Sequence, residues 1–247
     1  MTRRRFHHTL IAGMIVMLST ASAGAQDAAV DEVLTKMSAK LATVKDLRAT
    51  FAVTKYDALE EDTDHLRVEF WHKKPHLTKV DVYKKVKGVE QHTQQVILGK
   101  DTITRVWPRT RTGEKRKVDP KEMERRRKDR NDPLTFLSRN PDDLKKDFNV
   151  RMLKAPNATV SKIEITPKRK DVPFDYKAVE LTVSRATWLP VAIRSVAKPI
   201  TADDEPDWSL YEVKLLLTNI GLVKAHFLPL AGIEIKEVKA GEDAKKK

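Results

Sequence analysis

Catalysis and metal binding need particular side chains at particular spacings, and few such spacings occur in these 247 residues. Cysteine is absent, which excludes a thiol nucleophile, a disulfide framework and a Cys-ligated metal. There is no Gly-x-Ser-x-Gly elbow and no glycine-rich phosphate loop, and eight glycines leave little for tight phosphate cradles. His72 and His76 stand four apart like a helical metal pair. Pro75 lies between them in strand-like surroundings, so they do not share a helix face. His65, His92 and His226 are scattered. Glu60-Glu61-Asp62 with Asp64, and Asp203-Asp204-Glu205, are carboxylate runs that could do acid–base work only in an apolar pocket. Both read as solvated loops between strands. A hydrolase would have to use an acid such as Glu69 or Glu180, and no constellation around either supports one. No catalytic residue, metal or cofactor is expected.

What remains is charge and apolar pattern. The chain carries 48 Lys and Arg against 35 Asp and Glu, a net charge of +13 that favours anionic surfaces. The densest basic run begins at Lys115, Arg116 and Lys117 and continues through Arg125, Arg126, Arg127 and Lys128 to Arg130. As a membrane-docking surface it would contribute about 1 kcal/mol per basic residue. Glu122, Glu124 and Asp129 interrupt it, which suits a solvated helical face instead.

The elements that must carry these residues follow from periodicity. Arg3-Arg4-Arg5, the apolar run Leu10–Leu18 and Ala23-Gly24-Ala25 have the three-part form of an export signal, with cleavage expected near Ala25. The basic start also fits twin-arginine export, so two routes stay open. Export places the protein in the periplasm, where nucleic acid is not an expected partner. Val30, Leu34, Met37, Leu41 and Val44 recur at helical spacing and predict one amphipathic helix. The period then changes to two. Leu47–Thr54 and Leu66–Phe70 alternate apolar and polar residues, as half-buried strands do. Further strands are predicted at Leu77–Tyr83, Gln94–Leu98, Thr102–Trp107, Phe148–Leu153, Lys162–Thr166, Ala178–Ser184, Leu189–Val196, Trp208–Leu217 and Ile233–Glu237. Asp119-Pro120, Asp132-Pro133 and Asn140-Pro141 are helix-start signals, so a helical excursion interrupts the sheet between Trp107 and Phe148. The expected layout is a signal over 1–25, one domain over 26–240 and a disordered tail over 241–247. The fold class is α+β: an incomplete antiparallel β-barrel of about eleven strands with helices capping the open face.

This order of elements resembles the LolA-like periplasmic outer-membrane lipoprotein carrier family. Met37–Phe51 (MSAKLATVKDLRATF) is similar to the family's opening helix and first strand. Phe70-Trp71-His72-Lys73-Lys74-Pro75-His76-Leu77 resembles its tryptophan strand and basic-Pro turn. Asp132-Pro133-Leu134-Thr135-Phe136-Leu137 resembles its lid helix, and Asp147-Phe148-Asn149-Val150 the entry to the following strand. Thr218-Asn219, Phe227, Pro229 and Gly232-Ile233 resemble its closing segment.

The resemblance implies a non-enzymatic carrier. Acyl chains of lipoproteins or other lipids would sit between half-barrel and lid, gaining about 0.8 kcal/mol per buried CH₂. It also implies transfer partners at the inner and outer membranes, transient contact with anionic membrane, and a monomer. Strand parity nominates Phe51, Val53, Leu66, Val68 and Phe70 as cavity residues, with Leu134, Phe136 and Leu137 from the lid. Lys74 occupies the position of the family's lid-holding arginine; it can donate to lid carbonyls but lacks the planar fork. The alternative is an envelope sensor or interaction protein of the same fold, with a filled core and a basic surface.

Overall fold

The computed structural model describes residues 9–119, 121, 141–169, 172, 174–199 and 204–238, with side chains from Gln26 onward. Leu134, Phe136, Leu137, Arg125, Arg126 and Arg127 lie outside the described residues. Helix α1 spans Thr9–Ala42, starting well before the Val30 of the periodic pattern. Of the expected stripe, Leu41 is half-buried and Val44 is buried in the turn beyond the helix, while Val33 joins the buried set. Val30, Val33, Leu34 and Met37 are buried, at the spacing that keeps side chains on one helical face. The helix ends in a turn in which the Thr43 and Val44 N–H groups donate back to the Lys40 and Leu41 carbonyls. Among the described residues no helix is long and apolar enough to cross a membrane.

Among the described residues twelve strands follow, in one sheet. They are β1 (Asp46–Asp57), β2 (Asp62–Lys73), β3 (Leu77–Val86), β4 (Val89–Leu98), β5 (Thr102–Trp107), β6 (Thr112–Lys117), β7 (Phe148–Leu153), β8 (Val160–Pro167), β9 (Tyr176–Ser184), β10 (Pro190–Ala197), β11 (Trp208–Thr218) and β12 (Glu234–Val238). Their order is β12-β6-β5-β4-β3-β2-β1-β11-β10-β9-β8-β7. The two ends of that order do not pair, so the barrel is incomplete, as the alternating pattern predicts. Helix α2 (Pro141–Asp147) enters at the Asn140-Pro141 start signal and buries Leu144 before β7.

Three details differ from the sequence reading. Strand β6 contains Lys115, Arg116 and Lys117, which read as part of a helical charge run. It has no apolar alternation to betray it; its backbone pairs antiparallel with β5 and parallel with β12. The sheet is therefore mixed at that edge. Gly113 permits it, since a Cβ there would stand 3.0 Å from the Arg105 carbonyl and 3.3 Å from Ile235. Strand β2 begins at Asp62, so Asp62 and Asp64 belong to a strand and not to a loop.

Because side chains alternate along each strand, the register sorts them onto two faces. Ile163, Leu181, Ile193, Tyr211, Val53 and Leu66 lie in one transverse row across β8, β9, β10, β11, β1 and β2. This is the inner face, on which α1 packs. Val30, Val33, Leu34 and Met37 join Phe148, Ile163, Ile165, Leu181 and Ile193 in the main core.

The outer face of β2–β5 is covered by the C-terminal segment. Leu222 and Phe227, the latter in a 3₁₀ turn over Lys224–Phe227, pack on Trp71 and Ile97. The Leu230 N–H donates to Gln95 Oε1 at 3.2 Å.

Candidate functional site

The inner face has two halves in different states. Over β7–β10 the helix fills it, and side chains such as Ile163, Ile165 and Val179 are fully buried. Over β1–β4 the apolar strip is incompletely covered. Phe51 and Val53 are buried and pack with Leu66, Val68 and Phe70, which stay half-buried. Register extends the strip through Val80 and Val82 to Val96, all half-buried. All five strand candidates therefore share one face and one cluster. The three lid candidates lie outside the described residues.

Lys74 sits where β2 turns toward β3. Its ammonium donates to the Leu41 and Ala42 carbonyls at 3.3 and 3.2 Å, the last carbonyls of α1. A cation at a helix C-terminus is favoured by both the orphan carbonyls and the helix dipole. The basic run is divided by strand alternation. Lys115 and Lys117 project from one side of β6 and Arg116 from the other, and Lys115 pairs with Glu237 of β12 at 3.3 Å.

Toward the β1–β2 turn the inner face changes character. The apolar row Ile193–Tyr211–Val53–Leu66 is followed by Ser195–Ser209–Lys55–Asp64. Beyond that lie Asp57, paired with Asp62, and Asp207, whose carbonyl accepts the Ala197 N–H. These residues, with Glu60 and Tyr176, line a cavity of about 270 Å³. Asp57 Oδ1 accepts the Leu59 and Glu60 N–H groups, Asp62 Oδ1 the Thr63 N–H, and Asp207 Oδ1 the Ala58 N–H at 2.9 Å. At the rim, burial and then the hydrogen bond to Glu205 at 3.1 Å push the Tyr56 hydroxyl above its usual range. Among the described residues, no three His, Asp or Glu side chains converge as a metal site would require.

Sequence reading missed this cavity because its carboxylates come from separate runs, each of a type common in loops. A detectable signal was there: β1 and β11 each carry apolar residues at alternate positions and then switch to polar ones, Lys55 and Asp57 on β1, Ser209 on β11 and Asp207 just before it.

The outer face holds a connected polar ladder. Buried Asp81 receives Gln95 Nε2 at 2.7 Å, faces His92 Nε2 at 3.2 Å, and lies 3.9 Å from Lys79. Lys79 also stands 4.3 Å over the Trp71 ring. Arg67 grips Glu90 through two hydrogen bonds, at 2.9 and 2.7 Å, stacks over Tyr83 at 3.8 Å and pairs with Glu69. The hydrogen bond to Glu90 raises the Arg67 guanidinium, and in return holds the Glu90 carboxyl below its usual range. Glu69 also pairs with Arg48 at 3.5 Å, while Glu180 pairs with Lys162 at 2.7 Å and Arg194 at 3.6 Å. Glu69 and Glu180 are thus both held in ion pairs.

No family model and no curated protein matches the sequence. Solved structures of similar shape exist at low identity. An uncharacterized conserved protein from Thermus thermophilus is 12% identical, with 85% of this chain and 99% of that one covered and a TM-score of 0.49. A putative outer membrane lipoprotein-sorting protein domain from Vibrio parahaemolyticus is 13% identical, covering 80% and 97%, with a TM-score of 0.37. The LolA superfamily protein NE2245 from Nitrosomonas europaea is 11% identical, covering 81% and 97%, with a TM-score of 0.36.

Proposed function

We propose that the chain is a non-enzymatic carrier in the periplasm, reached through its N-terminal export signal, that holds acyl chains of lipids or lipoproteins on the inner face of β1–β4. One observation carries this reading: Leu66, Val68, Phe70, Val80, Val82 and Val96 form an apolar strip of neighbours in register, left half-buried beside a half-sheet whose core α1 fills. Apolar surface of that extent is stable when an apolar partner covers it. An acyl chain is such a partner, and Leu134, Phe136 and Leu137 would close over it from the lid. Lys74 would link lid movement to the end of α1. Transfer partners at the two membranes, and brief contact of the basic 115–127 region with anionic lipid, complete the proposal.

Native mass spectrometry of the protein from its own periplasm, followed by organic extraction, tests it. A bound acyl species that Val68→Asp or Leu66→Asp removes supports the carrier. Protein of bare polypeptide mass that also shows no thermal shift with lipopeptide or phospholipid overturns it.

A further inference from the structure

At the β1–β2 end of this basic chain lies a cavity in which carboxylates dominate. Asp57, Glu60, Asp62, Asp64 and Asp207 line it against the single lining ammonium of Lys55. Lys84 reaches Asp64 from β3 at 2.6 Å. That is five carboxylates against two ammonium groups, in a protein of net charge +13. In Asp57, Asp62 and Asp207 the described N–H groups use only Oδ1, so among the described residues no N–H takes Oδ2. Ser195 is 3% exposed and lines the cavity, and its hydroxyl makes no hydrogen bond to a described residue. The Ser195 hydroxyl therefore opens onto the cavity, where an occupant can meet it.

The cavity continues the apolar strip. Four adjacent strands switch from apolar to polar at the same level: Ile193 to Ser195, Tyr211 to Ser209, Val53 to Lys55 and Leu66 to Asp64. At about 3.3 Å per residue, the step from row to row is about 7 Å. An amphiphile lying along β2 would keep its chain against the half-buried Leu66 and Val68 and place its head among the carboxylates. The carboxylates surround the space without converging as metal ligands do, which suits a bulky organic cation spread over several weak contacts.

We propose that this cavity binds the cationic head group, ammonium or trimethylammonium, of an amphiphile whose acyl chain occupies the strip. The proposal rests on the carrier reading and narrows its cargo to amine-bearing lipids. An anionic head would meet a like-charged cavity and is disfavoured there.

The test uses the full chain and three single-chain probes below their micelle concentrations: dodecyltrimethylammonium, lauroylglycerol and dodecyl sulfate. Isothermal titration should show the cationic probe bound at least about tenfold tighter than the neutral one. Asp57→Asn with Asp207→Asn keeps each Oδ1 acceptor and should cut that preference to under about threefold, with lauroylglycerol affinity unchanged. Should that pair fail to fold, Asp62→Asn with Glu60→Gln serves instead. Equal binding of cationic and neutral probes, or a preference that survives the substitutions, overturns the head-group proposal alone. Tetramethylammonium binding as tightly as the amphiphile also overturns it, since the strip would then contribute nothing. If no probe binds, the carrier reading falls with it.

Discussion

Gln95 and Asp81 form a buried joint between sheet and C-terminal segment. Gln95 Nε2 donates to Asp81 Oδ1 at 2.7 Å while Gln95 Oε1 accepts the Leu230 N–H at 3.2 Å. The two side chains belong to residues 1% and 3% exposed. Gln95→Leu keeps the volume but leaves the Asp81 carboxylate one donor short. We expect a loss of about 1–3 kcal/mol in urea unfolding. Amide exchange at Leu230 should accelerate at the same time. An unchanged midpoint would mean that the ladder does not hold the segment.

Asn219 fastens the start of β1. It sits at φ 57°, its Oδ1 accepts the Lys45 N–H at 2.7 Å, and its Nδ2 donates to the Thr43 carbonyl at 3.2 Å. Asn tolerates this left-handed backbone better than Ala does. Asn219→Ala should cost about 2 kcal/mol, combining backbone strain with two lost hydrogen bonds. Asn219→Gly relieves the strain only, so thermal unfolding should rank it between wild type and Ala.

Leu34 is 1% exposed in the core between α1 and the sheet. Leu34→Ala should cost about 2–5 kcal/mol, the usual range for a buried leucine. Leu59, 92% exposed in the β1–β2 turn, is the control, and its replacement by Ala should leave the denaturation midpoint in place.

Lys74 donates to the last carbonyls of α1. Lys74→Ala should fray the helix end, seen as faster amide exchange over residues 40–44, at a cost of about 0.5–1 kcal/mol. Lys74→Arg should restore protection. If Ala and Arg exchange alike, the contact carries no weight in solution.

The Glu90 carboxyl is held below its usual range by its hydrogen bond from Arg67. A carboxyl with a lowered pKa in the folded state adds stability above its unfolded pKa, about 4.3 for glutamate, and loses it as pH falls through the folded value. Glu90→Gln should therefore melt below wild type at pH 6. The gap should close as pH drops below about 4. A gap of constant size from pH 6 to pH 3 would show that the pair does not titrate with folding.

The elements were largely legible because burial leaves a period. Val30, Leu34 and Met37 marked α1, and alternation marked β1, β2 and β7–β11, since each of these must turn one face to a core. Parity alone placed Phe51, Val53, Leu66, Val68 and Phe70 together, because in a strand the direction of a side chain follows from its number. Strand β6 escaped, since Glu114, Lys115, Arg116 and Lys117 have no apolar side to bury and owe their strand to backbone pairing with β5 and β12. The acidic cavity escaped for a related reason. Asp57 and Asp207 are 150 positions apart, and only the antiparallel register of β1 with β11 brings their ends together. Residue order is enough to say which side chains seek burial and with what period. Which polar residues meet depends on the tertiary structure, because pairing between distant strands is set by the register of the whole sheet and leaves no local trace in the chain.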